Sequence, residues 1–372
     1  MARAEGNRAK RRLGTEFGIR QLKNHQQRMK RILTLILLLL LAAIVCMGWL
    51  VLGPGTSFAA KNRSLYIHTD KTDRASVMQT LSTGDYISHP GLFDWIANEL
   101  GVWDKIKPGR YEMEAGSSLL SLVRKLKNDR QTPIRLVLTK VRTKQDLAGA
   151  LGNLFECDSL EVITYLENTD SAQVFNLDTN NILCAVIPNT YLIYWNTTPS
   201  HLMHRFFSEQ EHFWTPERKK SADDLGLTTT QAYILASIVE EETRKDADKP
   251  LIASVYLNRL AKGMKLAADP TVKFALRDFE LKRIYDKYTH VNSPYNTYEN
   301  AGLPPGPICT PSIKTLDATL QAPKTDYLFF VAKPGFSGSS TFAADYATHM
   351  VNAKAYQQFL DSLQKAREAK GQ

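Results

Sequence analysis

The apolar positions of this chain fall into patterns of three kinds: one unbroken run, short alternating stretches and longer stretches at helical spacing. The unbroken run is residues 32–52, ILTLILLLLLAAIVCMGWLVL, with no charged side chain. That length crosses a bilayer as one helix, since ~20 apolar residues span the hydrocarbon core. Residues 53–63 (GPGTSFAAKNR) then read as a short linker. Beyond it, 64–68 (SLYIH) alternate as a strand, and helical spacing follows over 76–81 after Asp73 and again over 92–100. Residues 109–111 begin another strand and 115–117 turn. Over 118–126, Leu119, Leu122, Val123 and Leu126 share a helical face, and 134–138 return as a strand. The stretch 107–138 is therefore expected to form a β-helix-β unit.

From 143 to about 225 the spacing is mostly helical. Thr143 and Asp146 supply a start signal, and Pro188-Asn189-Thr190-Tyr191 breaks the pattern with a turn that leads into aromatic residues through Trp195. Thr228 with Gln231 predicts a capped helix over 231–243. Asp248 and Pro250 open the next, with Ile252, Val255, Tyr256 and Leu260 on one face and Gly263 as the stop. Asp269-Pro270 pairs a capping acid with a first-turn proline. In the stretch 295–311, YNTYENAGLPPGPICTP, prolines and glycines stiffen an exposed connection that can hold Tyr295, Asn296 and Thr297 at fixed positions. Residues 327–332 and 340–342 pattern as a hairpin. His349 follows in a last helical region with no partner at motif spacing and reads as structural. Strands interspersed with helices place the chain in the α+β class.

Charge changes this picture in one respect. The formal net charge is +9 over 372 residues, which taken whole suggests nucleic acid or a membrane surface. Yet residues 1–31 hold ten Lys or Arg against Glu5 and Glu16, a balance of +8, so the rest of the chain is near neutral. That argues against nucleic acid as a partner and reads instead as an orientation signal beside the apolar run: a cytoplasmic tail, a single span, and the remainder exported. A cleaved signal peptide ending at Ser57-Phe58-Ala59 is the rival reading. Its apolar core is usually only ~7–15 residues, so an uncleaved anchor is expected. Of the four cysteines, Cys46 lies in the span, and Cys157, Cys184 and Cys309 are too scattered for a zinc site. A Cys157–Cys184 disulfide stays open.

Candidate chemistry concentrates at the end of the 231–243 helix. At ~100° per residue, Leu235, Ile238 and Val239 form a stripe in which Glu242 falls, while Glu240 and Glu241 rotate away. A carboxyl on a buried face resists ionising, the condition a general acid needs at neutral pH. A solvated helix end, or an ion pair with Arg244, Lys245 or Arg259, is the plainer reading of the same residues. Asp269 is a candidate second carboxylate.

Five motifs occur in order: LASIVEEET over 235–243, ASVYLNRL over 253–260, DPTV over 269–272, YNTY over 295–298 and GLPPG over 302–306. With KPGRY over 107–111 and QTP over 131–133, the chain resembles the MltG (YceG-like) family of membrane-anchored endolytic peptidoglycan transglycosylases. The resemblance implies a LysM-like subdomain over 64–140 and a mixed α+β catalytic domain over 141–368, with a helical part at 143–225 and a core at 228–365. It implies cleavage of the β-1,4 bond between N-acetylmuramic acid and N-acetylglucosamine in nascent glycan strands, leaving a 1,6-anhydromuramyl end and ending strand elongation. Glu242 takes the place of the catalytic acid, and Glu240, Asp269, Thr271, Tyr295, Asn296 and Thr297 those of substrate-binding neighbours. No metal or organic cofactor is implied. Cell-wall synthases are candidate partners, and the catalytic domain is expected on the outer side of the inner membrane. Ala267, Asn189 and Ser340 depart from the residues usual in the family at their positions. A hydrolytic muramidase using Glu242 and Asp269, and a non-catalytic glycan-binding scaffold, are the alternatives.

Overall fold

A computed structural model describes residues 2–368; Met1 and residues 369–372 lie outside the described residues, as do the side chains of 1–24 and 366–372. Most of the expected basic tail and the charged C-terminal end therefore fall on side chains that are not described. The chain divides into two compact units, residues 1–132 and 133–372.

The first unit opens with helix α1 (Ala2–Leu52), followed by β1 (Asn62–Ile67), α2 (Arg74–Thr83), α3 (Pro90–Glu99), β2 (Gly109–Glu114) and α4 (Leu119–Lys127). Within α1, His25–Leu52 is long and apolar enough to cross a membrane and is unburied. β1 and β2 pair antiparallel, with Leu65 opposite Tyr111, and both side chains enter a core with Phe93, Met113 and Leu122. The helices start where their caps predict: Asp73 accepts from the Ser76 amide at 3.0 Å and Ser118 from the Ser121 amide at 3.2 Å. The expected linker is not a loose tether. The Gly55 amide donates to the Ser117 carbonyl, and a Cβ on Gly55 would lie 2.7 Å from Leu119, so only glycine allows this approach. Gly109 of KPGRY abuts the Gln131 side chain of QTP and sits at φ 150°, a conformation that favours glycine.

The second unit contains β3 (Ile134–Val137), α5 (Lys144–Gly152), α6 (Ser159–Glu167), α7 (Thr169–Gln173), a 3-10 turn (Ile182–Ala185), β4 (Thr190–Ile193), α8 (Pro199–Phe213) and α9 (Pro216–Asp224). It continues with α10 (Thr229–Glu242), α11 (Lys249–Ala261), α12 (Asp269–Leu276), α13 (Asp286–Thr289), α14 (Ile313–Leu320), β5 (Phe329–Ala332), β6 (Ser340–Ala343) and α15 (Tyr346–Glu368). Here the β-helix-β expectation is corrected. β3 does not return to β2; it pairs antiparallel with β4, Leu136 opposite Tyr191, and Leu136 packs with Leu147, Leu151 and Phe206. An alternating pattern tells which face of a strand is buried, not which strand lies beside it. Tyr191 and Trp195 of the aromatic run are core residues.

The capping boxes at Thr143/Asp146 and Thr228/Gln231 both form. Asp248 precedes α11 as expected but makes no cap; its carboxylate accepts from the Ser340 amide at 2.6 Å. β5 and β6 form the expected hairpin. His349 stacks on Phe329 at 5.2 Å. Cys157 and Cys184 are buried free thiols.

Helix α10 lies at the centre of the larger core, contacting α9, α11, α12, α14 and the 3-10 turn. Every residue from Ala232 to Val239 is buried. The one-sided stripe expected of it is therefore replaced by a helix covered all round.

Candidate active site

Because α10 is enclosed, its last turn brings three adjacent carboxyl groups out of the core together, and all three are partly buried. What distinguishes them is the partner each meets. Glu240 accepts from the hydroxyls of Ser312, at 3.0 Å, and Thr315, at the start of α14, and lies 3.6 Å from the Lys249 ammonium. Glu241 takes a two-pronged ion pair from Arg142, both contacts at 3.1 Å, and a third from Lys140 at 2.8 Å. Burial pushes Glu241 up, but the hydrogen bonds from Arg142 and Lys140 outweigh it and hold its pKa below the usual carboxylate value. The Arg142 guanidinium also lies over the Phe279 ring at 4.8 Å.

Glu242 has a neutral partner instead. The Tyr256 hydroxyl donates to its Oε1 at 2.5 Å, and among the described residues no Lys, Arg or His pairs with it. The candidate ion-pair partner Arg259 is spent elsewhere: its guanidinium donates to the carbonyls of Leu328 and Leu266, each at 2.7 Å. Burial raises the Glu242 pKa to about 7, the Tyr256 hydrogen bond opposes the rise, the Asp269 charge adds to it, and the Lys273 and Arg259 charges pull it back. Desolvation wins, and the carboxyl holds a proton near neutrality.

Glu242 lines a cavity of about 300 Å³ together with Glu240, Glu241, Arg244, Lys273 and Phe279. Pro270 and Ile308 supply apolar wall. The arrangement offers a carboxyl that still carries its proton in part at neutrality, beside cations that make no ion pair with it.

The expected neighbours divide into two groups. Glu240 lines the cavity. Asp269 is exposed at the first turn of α12 and accepts from the Tyr298 hydroxyl at 2.6 Å; its carboxylate does not cap the helix. Thr271, Asn296 and Thr297 are 0%, 0% and 1% exposed, and their side chains bond to one another and to backbone. The Thr297 hydroxyl accepts from the Ala268 amide at 3.0 Å and bonds the Thr271 hydroxyl at 2.8 Å, which in turn donates to the Ala268 carbonyl at 2.7 Å. The Asn296 amide donates to the carbonyls of Thr289 and Val291, each at 2.8 Å. These three side chains hold the loop and the start of α12 in place. The Tyr295 ring packs on Phe274 at 4.6 Å, and burial pushes its hydroxyl up to about 12.

Lys140, Arg142, Tyr256, Lys273 and Tyr298 are among the site residues that sequence patterning passes over. Tyr256 carried a usable signal: it shares a helix face with Ile252 and Val255, and a buried tyrosine needs a partner for its hydroxyl.

A family model described as the YceG-like family matches residues 65–355. The chain is 27% identical over 303 residues to a Bacillus subtilis (strain 168) protein named endolytic murein transglycosylase, covering 77% of this chain and 82% of that protein. It is 26% identical over 289 residues to a protein of the same name from Streptococcus pneumoniae serotype 2. That match covers 68% of this chain but 51% of the relative, so the chain spans about half the pneumococcal protein's length. Among solved structures, a yceG-like protein from Listeria monocytogenes superposes with a TM-score of 0.51 at 24% identity, over 78% of this chain and 99% of that one, a likeness of fold.

Proposed function

The chain belongs to the YceG-like family, and from that membership we propose that it is an endolytic murein transglycosylase in which Glu242 is the general acid and base. The observation that carries the assignment of Glu242 is the partly buried carboxyl lining the cavity, bonded by a phenol rather than a cation, with its pKa raised to about 7.

The substrate is the β-1,4 bond between N-acetylmuramic acid and N-acetylglucosamine within a glycan strand. Glu242 gives its proton to the glycosidic oxygen as the bond from that oxygen to muramyl C1 breaks. The C6 hydroxyl oxygen of the same sugar closes on C1, and its proton passes to the Glu242 carboxylate, restoring the acid. The product carries a 1,6-anhydro ring. Since the nucleophile is part of the substrate, no water has to be held against the ring and no second carboxylate has to attack it. Asp269, fastened by Tyr298 and near enough for its charge to act on Glu242, opposes positive charge developing on the sugar. Arg244 and Lys273, which line the cavity with Glu242, receive polar groups of the strand.

The same reading places residues 32–52 across the membrane with the basic tail in the cytoplasm and the second unit outside, close to growing strands and the synthases that extend them. The first unit, with its KPGRY and QTP corner, is read as a LysM-like module.

Glu242→Gln tests the assignment. It keeps the shape of the side chain and removes the transferable proton, so cleavage of purified glycan strands falls by about 10²–10⁴-fold while strand binding persists. Wild-type cleavage by the variant rejects Glu242, and a wild type that binds strands without cutting them supports a scaffold.

A further inference from the structure

We propose that Tyr256 is the positioning residue for Glu242: its phenol fixes Oε1 and so assigns the transferable proton to Oε2. The inference rests on the general-acid reading of Glu242 and adds the device that orients it.

Three observations carry it. The Tyr256 hydroxyl donates to Oε1 at 2.5 Å, and among the described residues no other hydrogen bond to this carboxyl is found. Tyr256 is 1% exposed, with its ring edge-on to Phe330 at 5.9 Å, so it reaches Glu242 from within the core and does not touch substrate. The neighbouring cation is immobilised elsewhere, since Arg259 is bound to two backbone carbonyls, which leaves the phenol to set the orientation of the carboxyl. With Oε1 occupied as an acceptor, Oε2 is the oxygen that carries, releases and recovers the proton.

The charged groups around this pair come from several elements. α11 contributes Arg259 and α12 contributes Asp269 and Lys273. Tyr298 lies near enough to act on Tyr256. On α10 itself, Glu241 is neutralised by Arg142 and Lys140, and Glu240 is turned to Ser312, which caps α14, and to Thr315 within it. The 3-10 turn meets α10 near its other end, where the Tyr233 hydroxyl donates to the Val186 carbonyl. None of these donates a hydrogen bond to Glu242, so the Tyr256 phenol is the contact whose removal moves its titration without altering charge.

The sign of the effect follows. A donor to Oε1 stabilises the carboxylate more than the acid. Removing it makes Glu242 a weaker acid that keeps its proton to higher pH.

The test uses the full-length chain in detergent with ¹³C-labelled glutamate, the Glu242 carboxyl resonance being identified by its loss in Glu242→Gln. In Tyr256→Phe the titration midpoint rises by about one pH unit or more, as expected for loss of a hydrogen bond to an ionised group. The alkaline limb of cleavage moves with it; kcat on the plateau falls about tenfold, and KM stays constant. Replacing Tyr256 with 3,5-difluorotyrosine, a stronger donor of nearly the same shape, moves the midpoint the other way. An unchanged midpoint in both variants, or a raised KM with kcat intact, overturns the proposal. Should the wild type cleave nothing, the assignment of function fails and the two midpoints alone decide the role of Tyr256.

Discussion

A glutamic acid in water is ionised well below neutrality, and the Glu242 pKa of about 7 reflects what surrounds it. Folding then carries a cost that depends on pH. The folded pKa lies above the reference value of 4.5, so the wild type keeps its full stability below that value and loses it as pH rises through about 7. Glu242→Gln cannot ionise and does not share the loss. Melting curves are therefore expected to coincide near pH 4 and to separate by up to about 3 kcal/mol by pH 8, with the variant the more stable. A gap that stays constant with pH contradicts a raised pKa. In catalysis the same group predicts an alkaline fall in kcat/KM with its midpoint near pH 7.

The three carboxyls at the end of α10 differ at this scale by the partners they meet. The angle of Glu242 on a helical wheel singles it out in the sequence, but α10 is buried on every side, so the angle does not separate it from Glu240 and Glu241. The separation comes from Arg142, Lys140 and Tyr256. Lys140 and Arg142 lie far from Glu241 in the chain, and no local pattern announces that they meet it.

Among the elements, those fixed by neighbours in sequence are the ones that sequence reveals. The boxes Thr143/Asp146 and Thr228/Gln231 are written within four residues and form as read. β3 was legible as a strand while its partner β4 was not, because pairing depends on which core accepts Leu136. The YNTY loop illustrates the same limit from the other side. Tyr298 of this loop bonds Asp269, while Asn296 and Thr297 hold backbone. Thr297→Val keeps the volume and leaves the buried Ala268 amide without its side-chain acceptor. It is expected to destabilise the protein by about 1–3 kcal/mol and to lower kcat through displacement of α12. A Thr297→Val protein with unchanged melting temperature and unchanged kcat speaks against this role.

For the molecule as a whole, the apolar helix and the basic residues before it are plain in the sequence because a bilayer imposes length and charge rules that need no tertiary structure. They predict a topology that reporter fusions can read. Alkaline phosphatase joined after residue 372 is expected to be active and green fluorescent protein at the same place dark; the reverse pattern contradicts export of the second unit. The near-neutral body predicts no retention on DNA at physiological salt beyond what the first 31 residues confer. Removing that tail is expected to abolish any binding seen in a gel-shift assay.

In the proposed reaction the substrate's own C6 hydroxyl captures C1 as the glycosidic bond breaks, with Glu242 handling the proton in both directions. Weighing the fragments released from purified glycan strands tests it most directly. New muramyl ends one water lighter than reducing ends are expected from the wild type and not from Glu242→Gln. New ends that carry the full mass of a reducing sugar contradict it, for they require water as the nucleophile.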